Sequence, residues 1–373
     1  MKSLVIVHFL PIEGFPPLLN LLQVITDSRK DLQVTVLTNS KSDQHYTFEI
    51  DNKRINIIRV ADVSTDKSRL KRYYAYYNFY RTTYKALNKI KPENVLYFDA
   101  ISSIGAYWYF KKNPGTRSKL YIHYHEYMSP QEIAGATGVM KWVFEREKEL
   151  YPIAKWISQT NEERLNFFVN DNSLQQDARF HIMPNWPLKK WSNFIRTDRT
   201  IDRPLKFVYV GALSMETLYV KEFAEWVLAQ KGKVTWDVFS QQQASDVRAY
   251  FKDLNSPYIN FRGHCKYEDL PQALEAYHVG VILYKGHIPN YIYNAPNKLF
   301  EYHVCGLDCW FPNQMKTSMK LTTHGTYPRI AGIDFEHLAE VSNPESLVCR
   351  ESLSYELFEF YAEKACEELI NSF

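Results

Sequence analysis

The sequence is poor in the features that mark several functional classes. It has five cysteines, odd in number and in no framework spacing, so reduced thiols in a cytosolic setting are expected rather than a disulfide scaffold. Its charges nearly cancel, 45 Lys and Arg against 42 Asp and Glu, and a net charge of +3 argues against a dedicated nucleic-acid binder. No apolar run approaches the roughly 18 residues needed to span a bilayer. The stretch from Lys2 to Leu10 has the apolar character of a signal-peptide core but no small-residue cleavage site, and Pro11, Glu13 and Pro16 follow at once; it reads as a buried first strand. No GxGxxG follows that strand and no GxxxxGKS or GxxxxGKT occurs anywhere, which removes the main support for a dinucleotide or P-loop site.

What the sequence does hold is length and alternation. A chain of 373 residues exceeds one typical core, so two domains are expected. Apolar runs at Leu4–Phe9, Leu32–Leu37, Ile55–Val60, Asn94–Phe98, Lys119–His125 and Trp156–Thr160 read as strands, with helical stretches between them. From Pro187 to Arg203 the pattern dissolves, and the interdomain linker is placed there. The alternation restarts at Lys206–Val210 and continues through Val234–Phe239, Tyr258–Phe261 and Val279–Tyr284. Strand–helix alternation predicts parallel sheets with helices on both faces. The predicted domains are 1–190 and 200–353, and an amphipathic acidic helix is expected within 354–373. The chain is also rich in aromatics, with 27 Tyr, 22 Phe and 8 Trp, which suit either packing or stacking on sugar-like partners.

The stretch from Tyr291 to Phe311 is the most informative. Pro296 suits a first helical position, Asn294 or Ala295 would lie near the cap, and Gly306 supplies a stop. The helix between them has an apolar arc of Leu299, Phe300, His303 and Val304 and a polar front of Asn297, Lys298 and Glu301. Its N-terminus favours an anion such as phosphate. In open parallel sheets ligands bind beyond the carboxyl ends of strands, where Gly211, Gly263 and Gly286 fall; each either lets backbone approach a ligand or simply makes the turn. Lys221, at the start of the helix after Gly211, could hold phosphate together with Lys298; alone, either is an ordinary surface lysine. Glu301 could accept from the two hydroxyls of a ribose, or be a solvated helix carboxylate. The loop from Arg262 to His264 is a candidate for reading a base.

His123, His125 and Glu126 close another strand. Alternation puts the two histidines on one face, and His125 with Glu126 would line a cleft, the imidazole donating and Glu126 orienting it or acting as a base. A hydrogen-bonded core histidine is the other reading. A metal site from His264, His303, Cys305 and Cys309 is less favoured than buried free thiols. The helix over 68–91 is basic and rich in tyrosine, which fits an anionic membrane surface or a solvated face with tyrosines packed inward.

The segment Asn294-Ala-Pro-Asn297-Lys298-Leu-Phe-Glu301-Tyr-His-Val-Cys-Gly306 resembles the nucleotide-sugar signature of glycosyltransferases with the GT-B fold, in the broad family-four-like group. Weaker likenesses extend along nearly the whole chain: Phe207 to Leu213, Lys221, His181 to Pro187, Ile122 to Glu126, and Glu162 to Phe168. The resemblance implies an α/β chain of two Rossmann-like domains facing each other across a cleft, with the C-terminal helix returning to the first. It implies a cytoplasmic enzyme, including at the inner face of a membrane, that moves a sugar from a UDP- or GDP-linked donor to a glycan or lipid-linked glycan acceptor. Retention of configuration is expected, with no cofactor and no obligatory metal. His125 and Glu126 would be catalytic; Gly211, Lys221, Arg262, Tyr293, Asn294, Asn297, Lys298 and Glu301 would bind the donor. Tyr293 stands where the family commonly has a second Glu, Ala212 where it has Arg, and Gly14 is alone where it has a Gly pair. Two alternatives therefore stay open: a nucleotide-sugar epimerase of the same fold, and an inactive carbohydrate-binding homologue.

Overall fold

The computed structural model describes residues 2–41, 47–50, 52–63, 68–195, 204–240, 245–344, 348 and 354–373. The chain forms two units. One comprises Met1–Asn185 and Ala362–Phe373, the other Trp186–Tyr361.

In the first unit the strands are β1 (Lys2–His8), β2 (Leu32–Ser40), β3 (Ile55–Asp62), β4 (Asn94–Phe98), β5 (Lys119–His123), β6 (Ala154–Gln159) and β7 (Phe180–Ile182). They pair in parallel in the order β3-β2-β1-β4-β5-β6-β7. Continuous apolar runs form the central strands because both faces of a parallel sheet are covered. Val5, Ile6, Val95, Leu96 and Ile122 are accordingly buried. The helices are α1 (Pro16–Ser28), α2 (Arg69–Ile90), α3 (Ile104–Lys112), α4 (Pro130–Gly135), α5 (Gly138–Glu147) and α6 (Glu162–Asp171). α1 starts on two prolines, whose missing N–H groups cost nothing in a first turn. Ser68 caps α2, and Lys91 ends it in the left-handed region ahead of Pro92.

The second unit has β8 (Leu205–Val210), α7 (Val220–Ala229), β9 (Val234–Phe239), α8 (Ser245–Leu254), β10 (Ile259–Gly263), α9 (Leu270–Leu274), β11 (Val279–Val281), α10 (Pro289–Ile292), α11 (Asn297–Val304), β12 (Asp308–Pro312), α12 (Lys316–Met319), β13 (Thr326–Tyr327), β14 (Ile330–Ile333) and β15 (Ser354–Tyr355). Its main sheet runs β10-β9-β8-β11-β12-β14, all parallel, and β13 pairs with β15 separately. Each main sheet reverses its strand order beside its first strand, between β1 and β4 and between β8 and β11. That is where open α/β sheets leave a crevice. The two-unit Rossmann-like α/β architecture is thus present.

Three expectations are corrected. β5 stops at His123, so His125 lies beyond the ladder and does not share a strand face with His123. The stretch placed in a linker is ordered as far as its start is described. Trp191 packs on Tyr267 with ring centroids 4.9 Å apart, because the ring has apolar surface to bury, and just before the stretch Trp186 packs on Phe360 at 5.5 Å. The remainder, 196–203, lies outside the described residues. Finally, 354–370 is not one helix. β15 opens it, and only two short helices follow, Ala362–Ala365 and Glu367–Ser372. These last residues belong to the first unit, where Tyr121 Oη donates to the Ser372 carbonyl at 2.8 Å and the Tyr121 and Phe373 rings meet at 5.0 Å.

Candidate functional site

Polar groups gather at the carboxyl end of each sheet. In the second unit the centre is α11. No side chain caps its N-terminus, so the first-turn N–H groups have no side-chain acceptor. Lys298 Nζ lies 2.6 Å from Glu301 Oε2. The Glu301 side chain is 1% exposed, and its second oxygen, Oε1, is buried without a hydrogen-bond partner. Of the two readings of Glu301, the solvated helix carboxylate is excluded: the helix buries Glu301 as fully as Leu299 and Val304. A buried carboxylate oxygen with nothing to accept from is costly unless a ligand donor meets it.

The sequence seats the helix closely. A Cβ on Gly280, in β11, would lie 2.1 Å from the Tyr302 ring, so only glycine leaves room for that ring against the strand. Tyr302 Oη in turn accepts the Val210 N–H at 3.1 Å, tying α11 to the end of β8. Gly286 is needed at the loop after β11, since its φ is +41° and a Cβ there would meet Gln314 Cβ at 2.6 Å. On the apolar arc, burial lowers the His303 pKa to about 4, and its Nε2 accepts the Phe358 N–H at 3.0 Å. Cys309 Sγ donates to the Leu299 carbonyl at 3.2 Å, and burial pushes the Cys305 and Cys309 thiols up.

The other predicted donor residues are placed as follows. Gly211 follows β8, and its N–H donates to the Phe239 carbonyl. Lys221 is in the first turn of α7, exposed, 3.8 Å from Glu225 one turn on. Arg262 ends in a bond from Nε to Asp237 Oδ2 at 2.6 Å, and the same Asp237 accepts from Asn260 and Tyr277. Tyr293 ends α10, with Lys316 Nζ 5.7 Å from its ring centre. The Asn294 carbonyl accepts from Ser318 Oγ at 2.7 Å, and Asn297 opens α11. The structure therefore joins Lys298 to Glu301 directly, while Lys221 and Arg262 are engaged with acids of their own. Sequence reasoning missed Tyr284 and Tyr291, whose rings stack at 4.8 Å beside this loop.

In the first unit the site gathers around His125. Its N–H donates to Asp99 Oδ1 at 2.8 Å, and its carbonyl accepts from Arg164 Nη1 at 3.0 Å. Asn185 Nδ2 lies 2.9 Å from His125 Nδ1. An amide NH2 can only donate, so Nδ1 accepts and the ring proton sits on Nε2. Loss of solvent around the ring, then the Arg164 charge, lowers the His125 pKa to about 3, and the ring is neutral at ordinary pH. Asn185, not Glu126, orients it, which corrects that expectation; Glu126 is exposed. His123 is wholly buried, bonded through Nδ1 to Ser158 Oγ at 2.9 Å, with its pKa lowered by burial to about 3. It is a core histidine.

Two residues here carried no local signal. Asp99, just after β4, has φ +57°, an uncommon conformation for a non-glycine. It holds the loop by accepting the His125 amide, and desolvation, then Glu126, raises its pKa to about 7. His8 ends β1, bonded through Nδ1 to the Leu10 carbonyl at 2.6 Å, its pKa lowered by burial to about 4. The His8 and His125 rings both pack on Phe15, at 4.2 and 4.6 Å. Among the described residues no group of three or more His, Cys, Asp or Glu could hold a metal ion, and no helix is long and apolar enough to cross a membrane.

No family model matches the chain, and no curated protein matches it in sequence. Solved structures do match in fold. The lipopolysaccharide outer core galactosyltransferase WaaB, in its apo form, is similar over 100% of this chain and 99% of its own, with 14% identity and a TM-score of 0.63. Anabaena HepE, in complex with UDP and glucose, is similar over 100% and 99%, with 11% identity and a TM-score of 0.64. A protein described as a UDP-N-acetylglucosamine 2-epimerase from Listeria monocytogenes is similar over 100% and 95%, with 11% identity and a TM-score of 0.59. The chain therefore has the GT-B fold.

Proposed function

We propose that this protein is a glycosyltransferase that moves a sugar from a UDP- or GDP-linked donor to a hydroxyl of a glycan or lipid-linked glycan, in the synthesis of a surface polysaccharide or glycolipid. The observation that carries the reading is Glu301 Oε1, a buried carboxylate oxygen without a partner, beside an ammonium and an uncapped helix N-terminus. A ribose hydroxyl supplies the donor that Oε1 lacks. The diphosphate takes the α11 N–H groups and the Lys298 ammonium, which stabilise the charge that develops as the bond from the anomeric carbon to phosphate oxygen breaks. Lys221 joins them readily, since its exposed pairing with Glu225 is weak. Gly211, Arg262, Tyr293, Asn294 and Asn297 complete the donor side.

In the first unit, neutral His125 is a donor through Nε2–H, and exposed Glu126 is the carboxylate that takes the acceptor's proton. Charge neutralisation by lysine and backbone amides needs no metal, and retention follows from the family resemblance. The fold is shared with HepE in complex with UDP and glucose, which supports a nucleotide-sugar donor. A lipid-linked acceptor is supported by the surface of α2. Between Arg69 and Ile90 there is no acidic residue, and Leu70, Tyr74 and Tyr77 are exposed beside Lys71, Arg72 and Arg81, a surface suited to anionic lipid.

Calorimetric titration with UDP and GDP, followed by a panel of nucleotide-sugars scored for release of free diphosphate, tests the reading. Binding of neither nucleotide, or binding unchanged by Glu301→Ala, overturns it. Release that survives EDTA supports the metal-free form, and the anomeric proton coupling of the product reads retention. Conversion of one nucleotide-sugar to another with no acceptor present would instead assign an epimerase, a reaction the same fold is compatible with.

A further inference from the structure

Beside the His125 loop, wholly within the first unit, lies a cavity of about 400 Å³ whose role the donor chemistry does not use. That is enough for a ring or chain segment of a small ligand, at the lower end of ordinary binding sites. Its walls are apolar, built by Ile133, Met140, Phe144 and Phe168, with Asp99 and Glu126 also lining it. One side is α4, a helix with no buried residue, held by a capping box between Ser129 and Glu132.

Lys148, Asp171 and Asn172 also line the cavity, and Glu147 and Gln159 are polar lining residues that are buried. Glu147 is buried and already satisfied: Tyr97 and Tyr124 hydroxyls donate to Oε1 at 3.0 and 2.8 Å, and Tyr151 to Oε2 at 3.3 Å. Gln159 is not satisfied. Its side chain is on a residue 1% exposed, it lines the cavity, and Oε1 has no hydrogen-bond partner. A buried amide oxygen without a partner, on a residue that lines an apolar cavity, is satisfied by one donor on an otherwise apolar group.

We propose that this cavity binds the apolar aglycone of the acceptor, an alkyl or aryl group bearing a hydrogen-bond donor that meets Gln159 Oε1, with the acceptor's sugar at the Glu126 rim. The acceptor role rests on the glycosyl-transfer reading; the apolar site itself does not. Flexible Met140 and Phe144 shape the wall for a group of this kind, and Glu147, occupied by three tyrosines, keeps the interior rigid.

The test uses the whole protein without donor. Methyl, octyl, phenyl and 4-hydroxyphenyl β-glucosides, the octyl compound below its micelle concentration, are titrated by calorimetry, and UDP is titrated in the same samples. Octyl or aryl glucosides should bind at least about tenfold more tightly than methyl glucoside; an octyl preference marks a lipid acceptor and an aryl preference an aromatic one. Met140→Trp, which fills the space, should remove that gain, and Ile133→Trp serves if the first variant melts early. Gln159→Leu should abolish any advantage of 4-hydroxyphenyl over phenyl while leaving the phenyl compound bound. Equal binding of all four glucosides, or tryptophan variants that fold and bind as before, overturns the proposal. Loss of UDP binding alone strikes the transferase reading and leaves the cavity standing.

Discussion

At the carboxyl end of the first unit's sheet the central polar group is an uncharged ring, whereas at that of the second unit it is an ion pair. The His125 main chain meets the Asp99 carboxyl and the Arg164 guanidinium, but its ring meets the Asn185 amide, and burial lowers the pKa of the imidazoles here to between about 3 and 4. Around α11 a lysine reaches 2.6 Å toward a carboxylate that is itself buried. The difference follows from what each edge meets. Histidine yields its charge to desolvation cheaply, since its ordinary pKa is close to neutrality. A buried carboxylate keeps its partner close, because an uncompensated charge in low dielectric costs several kcal/mol. One edge is thus suited to directing a neutral hydroxyl, the other to receiving an anion.

Perturbations of decreasing size test that contrast. Gly280→Ala should act most strongly, because a Cβ 2.1 Å from the Tyr302 ring must displace it and with it the seat of α11. The expected loss is about 3 kcal/mol or more, read by denaturant unfolding, with nucleotide binding lost in whatever remains folded. An unaltered melt would mean that the ring does not depend on this glycine.

The first unit has its own sensitive point in Glu147, whose pKa burial raises to about 7. A carboxyl raised on folding holds more protons in the native state between its ordinary value and 7. The stability linked to it is therefore full below that ordinary value and is lost as pH rises through 7. Relative to Glu147→Gln, the natural protein should lose up to about 3 kcal/mol between pH 4 and 8, seen as a steeper fall in melting temperature. Parallel pH profiles for the two proteins would contradict a buried, protonated Glu147.

Glu301→Ala should weaken UDP or GDP binding by about 30-fold, the scale of a lost charged hydrogen bond, with little effect on the melt of the first unit. Asn185→Ala should free the His125 ring to change tautomer, lowering turnover by about tenfold while leaving nucleotide affinity unchanged. Imidazole NMR checks the premise directly: His125 should stay neutral down to pH 5. Lys221→Ala should be the mildest, within about 0.5 kcal/mol in stability, because an exposed pair with Glu225 contributes little.

Much of the framework was legible. The central strands are continuous apolar runs, and Pro296 and Gly306 bracket α11 as read. The elements that went unread are short or mixed in character, among them α4, α10, α12, β13, β14, and β12 with its Asp, Cys and Pro. Trp191 looked like linker because its neighbours are polar, although its ring is anchored on Tyr267 in the second unit.

The sites divide in the same way. Asn297, Lys298 and Glu301 lie on one helix, so their spacing alone brings the lysine to the carboxylate. His8, Asp99, His125 and Asn185 come from four separate parts of the chain, and no spacing reveals that an asparagine 60 residues on fixes the histidine's tautomer. The sequence by itself determined two parallel sheets and a polar helix start, because burial periodicity and helix geometry are local properties. Only the tertiary structure decided that Glu301 is buried with one oxygen open and that His125 is neutral. Desolvation and hydrogen-bond partnership depend on what the rest of the chain brings alongside.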